Sequence, residues 1–460
     1  MQFCIMNALE LIRKYNVPGP RYTSYPTVPF WKDNNMPADK WLKSLVQQQA
    51  QKEQVTLGLY IHLPFCESLC TFCGCHKRIT KNHAVELPYI ETVLQEWEMY
   101  QKVLQPNTQI VELHLGGGTP TFFAPKALKK LITGLLQHQK IDPKNCDLSF
   151  EAHPNSTTED QLHTLYELGF RRVSFGIQDY DPKVQIAIHR VQSFEQIQAV
   201  HLMAKNIGYT SVNHDLVYGL PFQNIEGFKA TIVQTIALKP ERIALYGYAH
   251  VPWVKGTGQR GYDENNLPKD GQKRALYEMA YELLLDAGYL AIGMDHFALP
   301  GDALAVAFQK KQLHRNFMGY TQRQTDLMIG LGMSAISDAW QAFAQNEKSV
   351  EQYQARIAAG DLAIFRGHFL NEEELLIRRH ILDLMCHFET TWEQTLLHNG
   401  FYKPIISRLQ ELEKDGLVIR HQSGLQILPK GYAFVRNVCM AFDLDLHGHQ
   451  FDKPLFSATI

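Results

Sequence analysis

Residues 55–75 read VTLGLYIHLPFCESLCTFCGC. The first eight, Val55–His62, are rich in β-branched and aromatic residues and short enough to be a strand. Four cysteines follow in close order: Cys66, Cys70, Cys73 and Cys75. Thiolates are soft ligands suited to iron–sulfur clusters, zinc or cuprous copper. A closed zinc site commonly takes its ligands as two pairs separated by a longer loop, and one short loop fits that poorly. Three cysteines at Cys-x3-Cys-x2-Cys spacing can hold three corners of a cubane cluster and leave its fourth iron without a protein ligand. The same i, i+4, i+7 spacing also suits one buried helix face. Pro64 and Gly74 bracket the run, however, and Cys75 breaks the period. Cys75 itself stays open: as a fourth ligand it closes the site into a passive electron carrier, and otherwise it lies behind the ligands or toward a substrate.

Outward from this loop the chain alternates strand-like and helix-like stretches. Further strands are expected at Ile110–Leu115, Cys146–Ala152, Arg172–Ile177, Thr210–Val217 and Arg242–Tyr248, with helical patterns such as Ala127–His138 and Ser193–Ile207 between them. Ser193 with Gln196 reads as a capping box, and Asn155–Thr158 as a helix start. Six strand–helix units in a row imply parallel strands with right-handed crossovers, in a doubly wound sheet or a full or partial barrel. The unusual residues sit where strands end: the cysteines, GGGTP from Gly116, Glu151, Gln178, DLVYGLP from Asp215 and YAH to His250. Ligands of parallel α/β folds bind at that edge.

The 460 residues exceed what one core usually fills, so an appended unit is expected. Val17–Thr27, VPGPRYTSYPT, carries too much proline and glycine for a helix and reads as an extended arm. After Asn371, helical segments Glu372–Cys386 and Pro404–Lys414 precede GLVIRHQSGLQIL, a hairpin turning at Ser423–Gly424. This resembles a winged helix, but Glu411, Glu413 and Asp415 would repel phosphates. The net charge of −2 gives no basic excess for nucleic acid or an anionic membrane. No apolar run is long enough to span a bilayer, and Glu10 and Arg13 interrupt any leader-like start, so a cytoplasmic location is expected. Cys4, Cys146, Cys386 and Cys439 are isolated, unlike a disulfide framework.

The Cys-x3-Cys-x2-Cys run after a first strand resembles the radical S-adenosylmethionine (SAM) superfamily. With PGPRYTSYPT, LHLGGGTPT, FGIQDYDPKVQ, DLVYGLP, YAHVPW, GMDHFA, HRNFMGYT, GMSAIS, GLVIRHQSGLQILPKG and RNVCMAFD, the chain resembles the oxygen-independent coproporphyrinogen III oxidase (dehydrogenase) family over essentially its full length. The resemblance implies an α/β fold: a partial parallel (β/α)6 barrel of radical SAM type. The N-terminal arm would span 1–50 and the catalytic domain 51–365, with its core barrel to about 288; a mostly helical, winged-helix-like domain would follow at 366–460. It further implies a monomer holding a 4Fe-4S cluster on Cys66, Cys70 and Cys73, two SAM molecules, and a flavodoxin- or ferredoxin-like reducing partner. The implied reaction turns two propionates of coproporphyrinogen III into vinyl groups, giving protoporphyrinogen IX.

By match to the family motifs, Tyr60, Gly117, Glu151 and Ile336 face the first SAM. Phe72, Gly118, Thr119, Gln178, Arg190, Asp215 and Ala249 match contacts to the second. His153 stands where the family often has an acid. A substrate with four propionates needs cationic donors, for which Arg21, His314 and Arg315 are candidates, with His296 facing the same cavity or the core. Cys75 is a candidate for a catalytic role. The rival readings are a haem-binding chaperone of the same superfamily, a radical SAM porphyrin methyltransferase and a plain electron carrier. Such chaperones usually lack Cys75, the arm and the HRNF segment, all present here.

Overall fold

The computed structural model describes residues 8–34, 36–50, 52–137, 141, 145–253, 258–259, 261–448 and 455–459; Cys4 and the end of the expected 127–138 helix fall outside these. Six strands run side by side in chain order: β1 (Val55–Leu63), β2 (Thr108–Gly117), β3 (Asp147–Ala152), β4 (Arg172–Gln178), β5 (Ser211–Tyr218) and β6 (Arg242–Gly247). Each pairs in parallel with the next. A doubly wound sheet reverses its strand order at a switch point; this one does not, so it is wound in one direction as an open, partial barrel. Leu327–Leu331 adds in parallel on the free side of β1. Antiparallel strands complete both flanks, ending at Asp33–Asn34 on one side and Leu290–Ile292 on the other.

The strands alternate with helices whose ends the sequence marks. Ser193 and Gln196 form the expected capping box ahead of Phe194–Ile207, which Gly208 closes at φ 113°. Thr158 pairs with Gln161 in a second one. β2 extends past both expected ends because its neighbour continues, Leu63 pairing with Gly117.

The N-terminal segment joins both halves of the molecule. Helix Ala8–Tyr15 buries Leu11, Ile12 and Tyr15 among C-terminal residues including Leu384 and Phe434, whereas Asp33–Asn34 pairs with Arg366 and Gly367 of the large sheet. In the C-terminal part, helix Glu372–His387 and helix Lys403–Lys414 pack with a three-stranded sheet. Its hairpin turns one residue earlier than expected. His421 and Gly424 exchange both backbone hydrogen bonds around Gln422–Ser423, and Gly424 opens the strand, where a side chain would collide with the Thr390 carbonyl. No described helix is long and apolar enough to cross a membrane.

Candidate active site

The cysteine loop leaves β1 at Pro64 and is tied down at its neck. Phe65–Cys66 pairs with Arg78–Ile79, with the Arg78 N–H donating to Pro64 O at 2.8 Å and the Thr80 N–H to Cys66 O at 2.9 Å. Midway, Thr71 donates through its N–H to Ile188 O at 3.0 Å and through its hydroxyl to Ala187 O at 2.9 Å. Lys77 Nζ caps the carbonyls of Cys73 and Cys75. Cys66, Cys70 and Cys73 are half-buried and Cys75 is exposed. All four face a cavity of about 430 Å³ that also takes in Phe72, Gly117, Gly118, Thr119, Glu151, Gln178, Arg190 and Asp215. The rim expected from strand ends therefore exists as one chamber.

The glycines first clear the way for the chain itself. A Cβ on Gly118 would lie 2.5 Å from Pro64 O, and one on Gly117, at φ +112°, 2.7 Å from the His62 ring. Without side chains, β2 can end flush against β1, the Gly118 N–H donating to Leu63 O at 2.9 Å. Gly116 leaves room for Glu151, whose Oε1 a Cβ there would meet at 3.2 Å. Glu151 Oε2 accepts from the Gly117 N–H at 3.2 Å, and His114 Nε2 stands 3.7 Å from Oε1. Burial pushes this carboxyl up, but His114 and the Gly117 N–H outweigh it and hold it below its ordinary range. Glu151 is thus an acceptor at neutral pH.

Asp215 lies farther along the same floor. Ser174 Oγ donates to it at 2.8 Å and Asn213 Nδ2 at 2.7 Å. Burial raises its pKa, those donors lower it and the nearby Glu151 charge raises it, leaving it at about 6. Gln178 sits at a β-bulge with φ +70°, which turns it out of the strand alternation. Arg190 donates through Nη2 to Gly176 O at 2.6 Å. The His153 imidazole is pushed down to about 3, by burial and then the Arg190 charge, and its Nδ1 accepts the Asn155 N–H at 3.1 Å.

Tyr60, Ala249 and Ile336 stand behind the chamber wall rather than on it. Tyr60 donates to His62 Nδ1 at 3.1 Å and stacks on His114. The Ile336 backbone packs on Gly330, the register partner of Tyr60, where a Cβ would lie 2.5 Å from Ile336 O. Ala249 is joined to Phe72 by Gln259, whose amide donates to both carbonyls at 3.0 and 3.1 Å.

Of the three cationic candidates the structure brings two together. Arg21 donates to Gly247 O at 2.7 Å, at the end of β6, and stands 3.6 Å from Asp295. Arg315 donates to Arg21 O at 3.3 Å, lies over the Tyr320 ring and is 4% exposed, with Nε and Nη1 lacking any partner. Asp295 also holds His296 Nδ1 at 2.6 Å. His314 faces the other way, into a separate groove with Lys311, Arg323, Arg379 and His387. Neighbours on a strand point to opposite faces, so His314 and Arg315 cannot share a ligand in this hairpin. Burial lowers the His314 pKa to about 4, leaving it uncharged.

Sequence reasoning missed His114, Ser174 and Asn213, which orient the two carboxylates. Their signal was present: polar residues at alternate positions of otherwise apolar strands, facing the same side as Glu151 and Asp215.

Among the described residues no three His, Cys, Asp or Glu side chains converge on one point as ligands of a single ion do. A cubane is gripped at separate corners, and three half-buried thiols around this chamber suit one. A one-way-wound partial barrel with such a loop at its mouth defines a radical SAM protein, and the profile of the Radical SAM superfamily matches residues 60–234. The oxygen-independent coproporphyrinogen III oxidase of Pseudomonas aeruginosa is 38% identical over 440 residues, covering 94% of this chain and 95% of its own. That of Escherichia coli is 37% identical over 441 residues, covering 95% and 94%. The chain belongs to the oxygen-independent coproporphyrinogen III oxidase family. Its fold is likewise that of the solved coproporphyrinogen III oxidase (HemN) from Escherichia coli, a radical SAM enzyme, with TM-score 0.88 at 34% identity over 96% of this chain and 99% of that one.

Proposed function

We propose that this chain catalyses the oxygen-independent oxidative decarboxylation of two propionate side chains of coproporphyrinogen III to vinyl groups, giving protoporphyrinogen IX. The observation that carries it is the single chamber joining Cys66, Cys70 and Cys73 to Glu151, Arg190 and Asp215 in a chain of this family. Cys66, Cys70 and Cys73 would hold a 4Fe-4S cluster, which would supply the electron for reductive cleavage of SAM and so the radical chemistry at a propionate β-carbon.

The chain's own residues bind and orient. Cys66, Cys70 and Cys73 are the ligands in this reading, and Cys75 lies outside the ligand set, toward the substrate. The reading assigns the remaining candidates to two SAM molecules, as the family motifs imply. Tyr60, Gly117 and Glu151 stand on β1–β3, and Ile336 on the second strand beyond β1, with the ionised Glu151 accepting amino or hydroxyl donors. Phe72, Gly118, Thr119, Gln178, Arg190, Asp215 and Ala249 gather about the loop and β4–β6. Arg21 and Arg315 receive propionate carboxylates; Arg315 Nε and Nη1 are buried without hydrogen-bond partners, which a carboxylate can supply. His314 is left out of that set by its direction. The extended arm over β6 suits a cover that excludes water from a radical.

The same reading divides the chain into an arm (1–50), a catalytic domain (51–365) and a C-terminal domain (366–460), with strand Ile364–Phe369 running across the second junction. It takes the protein as a cytoplasmic monomer reduced by a flavodoxin- or ferredoxin-like partner. The haem-chaperone and methyltransferase readings gain no support from any observation. Anaerobic incubation with coproporphyrinogen III, SAM and dithionite should yield protoporphyrinogen IX and 5′-deoxyadenosine. Unchanged substrate, or a methylated or ring-opened tetrapyrrole, would contradict the assignment.

A further inference from the structure

Glu96 lies on helix Glu86–Gln101, outside the barrel, and is completely buried. Its recorded partners are all neutral. Oε2 accepts the Gly332 N–H at 2.8 Å and the Tyr353 hydroxyl at 2.6 Å, and Oε1 accepts Asn346 Nδ2 at 2.7 Å. Two turns earlier on the same helix, the Tyr89 hydroxyl accepts the Met333 N–H at 2.9 Å and donates to His62 O at 2.8 Å. Both side chains therefore grip one turn, residues 332–334, and fix it to the end of β1.

That turn is tightly seated. A Cβ on Gly332, at φ +95°, would lie 2.6 Å from His62 O. It leads into Ile336, whose carbonyl packs against Gly330, the register partner of Tyr60, while Gln345 Nε2 donates to Ser334 O at 3.1 Å. The segment that carries Ile336 behind the chamber is thus set by a carboxyl group that does not itself line the chamber.

Packing alone does not call for this group, since burying a carboxylate without a cation is costly. The donors do call for it. Both oxygens face N–H or O–H groups, so a glutamine in the same place must set its own NH2 against Asn346 Nδ2 or against the Gly332 N–H. Only a group that accepts at both ends satisfies all three.

We infer that Glu96 is a positioning residue for the first SAM, acting through the Gly332–Ser334 turn on Ile336 and Tyr60. The inference rests on the assignment of those two residues to that cofactor. Glu96→Gln should raise the KM for SAM about tenfold, the equivalent of one lost hydrogen bond to a charged group. It should leave the iron content unchanged and kcat within about twofold, because saturation with SAM restores the geometry. Tyr353→Phe keeps both carboxyl oxygens, removes one donor and should raise the same KM by a smaller factor; it carries the test alone if Glu96→Gln does not accumulate as folded protein. An unchanged KM for SAM in a variant that merely melts earlier would overturn the inference. A wild-type protein that does not cleave SAM at all would instead sink the functional reading beneath it.

Discussion

Arg190 Nη1 stands 3.7 Å from Cys70 Sγ while its Nη2 donates to Gly176 O at 2.6 Å. One guanidinium thereby links Cys70 of the cysteine loop to the end of β4, and its Nε is buried without a hydrogen-bond partner. A Cβ on Gly176 would lie 2.6 Å from Nη2 and 2.8 Å from Gln178 Nε2, so the strand must be glycine here to admit it. Arg190→Lys cannot span both contacts. It should keep its iron yet form 5′-deoxyadenosine about tenfold to a hundredfold more slowly, as expected for losing hydrogen bonds made by a charged donor. Chromatographic quantitation of the nucleoside checks this, and an unchanged rate would leave Arg190 as scaffolding.

The four loop cysteines should not be equivalent. Serine at Cys66, Cys70 or Cys73 should abolish the cluster, read as iron and sulfide per chain after anaerobic reconstitution. Cys75→Ser should retain the full iron content, since Cys75 falls outside the Cys-x3-Cys-x2-Cys set that can leave one iron of a cubane open. Loss of iron from Cys75→Ser would favour the closed, four-thiolate electron carrier.

Asp215 supplies a pH test. Its pKa of about 6 makes it an anion above that value and a neutral acid below it. SAM-dependent kcat/KM should fall as pH drops through about 6. Asp215→Asn should remove that limb and leave a flat, lower profile. A wild-type profile without an acid limb there would contradict a role for the carboxylate.

Arg315 and His314 should differ in what they contribute. Replacing Arg315 with methionine removes a cation whose charge is favoured by the buried Asp295, so the substrate-free protein should be less stable, by about 1–3 kcal/mol. The KM for coproporphyrinogen III should rise at least about tenfold through the lost charged contact. His314→Ala should leave that KM unchanged, because it faces the outer groove. Equal losses in both variants would show that the hairpin matters only structurally.

A buried histidine pair behind β5 should make the fold acid-sensitive. His201 Nδ1 and His214 Nε2 are 3.1 Å apart, and burial, then the neighbouring His201, holds His214 well below the usual imidazole range. A depressed imidazole keeps its stabilisation above the unfolded-state pKa of about 6.5 and loses it as pH falls below that, by about 1.4 kcal/mol per pH unit and group. Urea midpoints measured down to about pH 5.5 should therefore decline less in a His201→Leu/His214→Leu double variant than in the wild type. Parallel declines would assign the acid sensitivity elsewhere.

The barrel was legible because each strand is a short β-rich run and the polar motifs fall towards strand ends, which placed Glu151 and the run from Asp215 at one edge. What escaped was set by direction and by distant packing. His314 and Arg315 are adjacent letters, and only the hairpin shows that they face opposite ways. GGGTP read as room for a ligand, whereas Gly117 and Gly118 first make room for His62 and Pro64. The grip of Glu96 on Gly332 joins residues 236 positions apart, which no local pattern reports.

The most direct test of the account is the electron paramagnetic resonance and Mössbauer spectrum of the reduced, reconstituted protein, recorded with and without SAM. A cubane held by Cys66, Cys70 and Cys73 should show one iron that differs from the other three and shifts when the sulfonium compound is added. Four equivalent, thiolate-bound irons with a signal indifferent to SAM would contradict it.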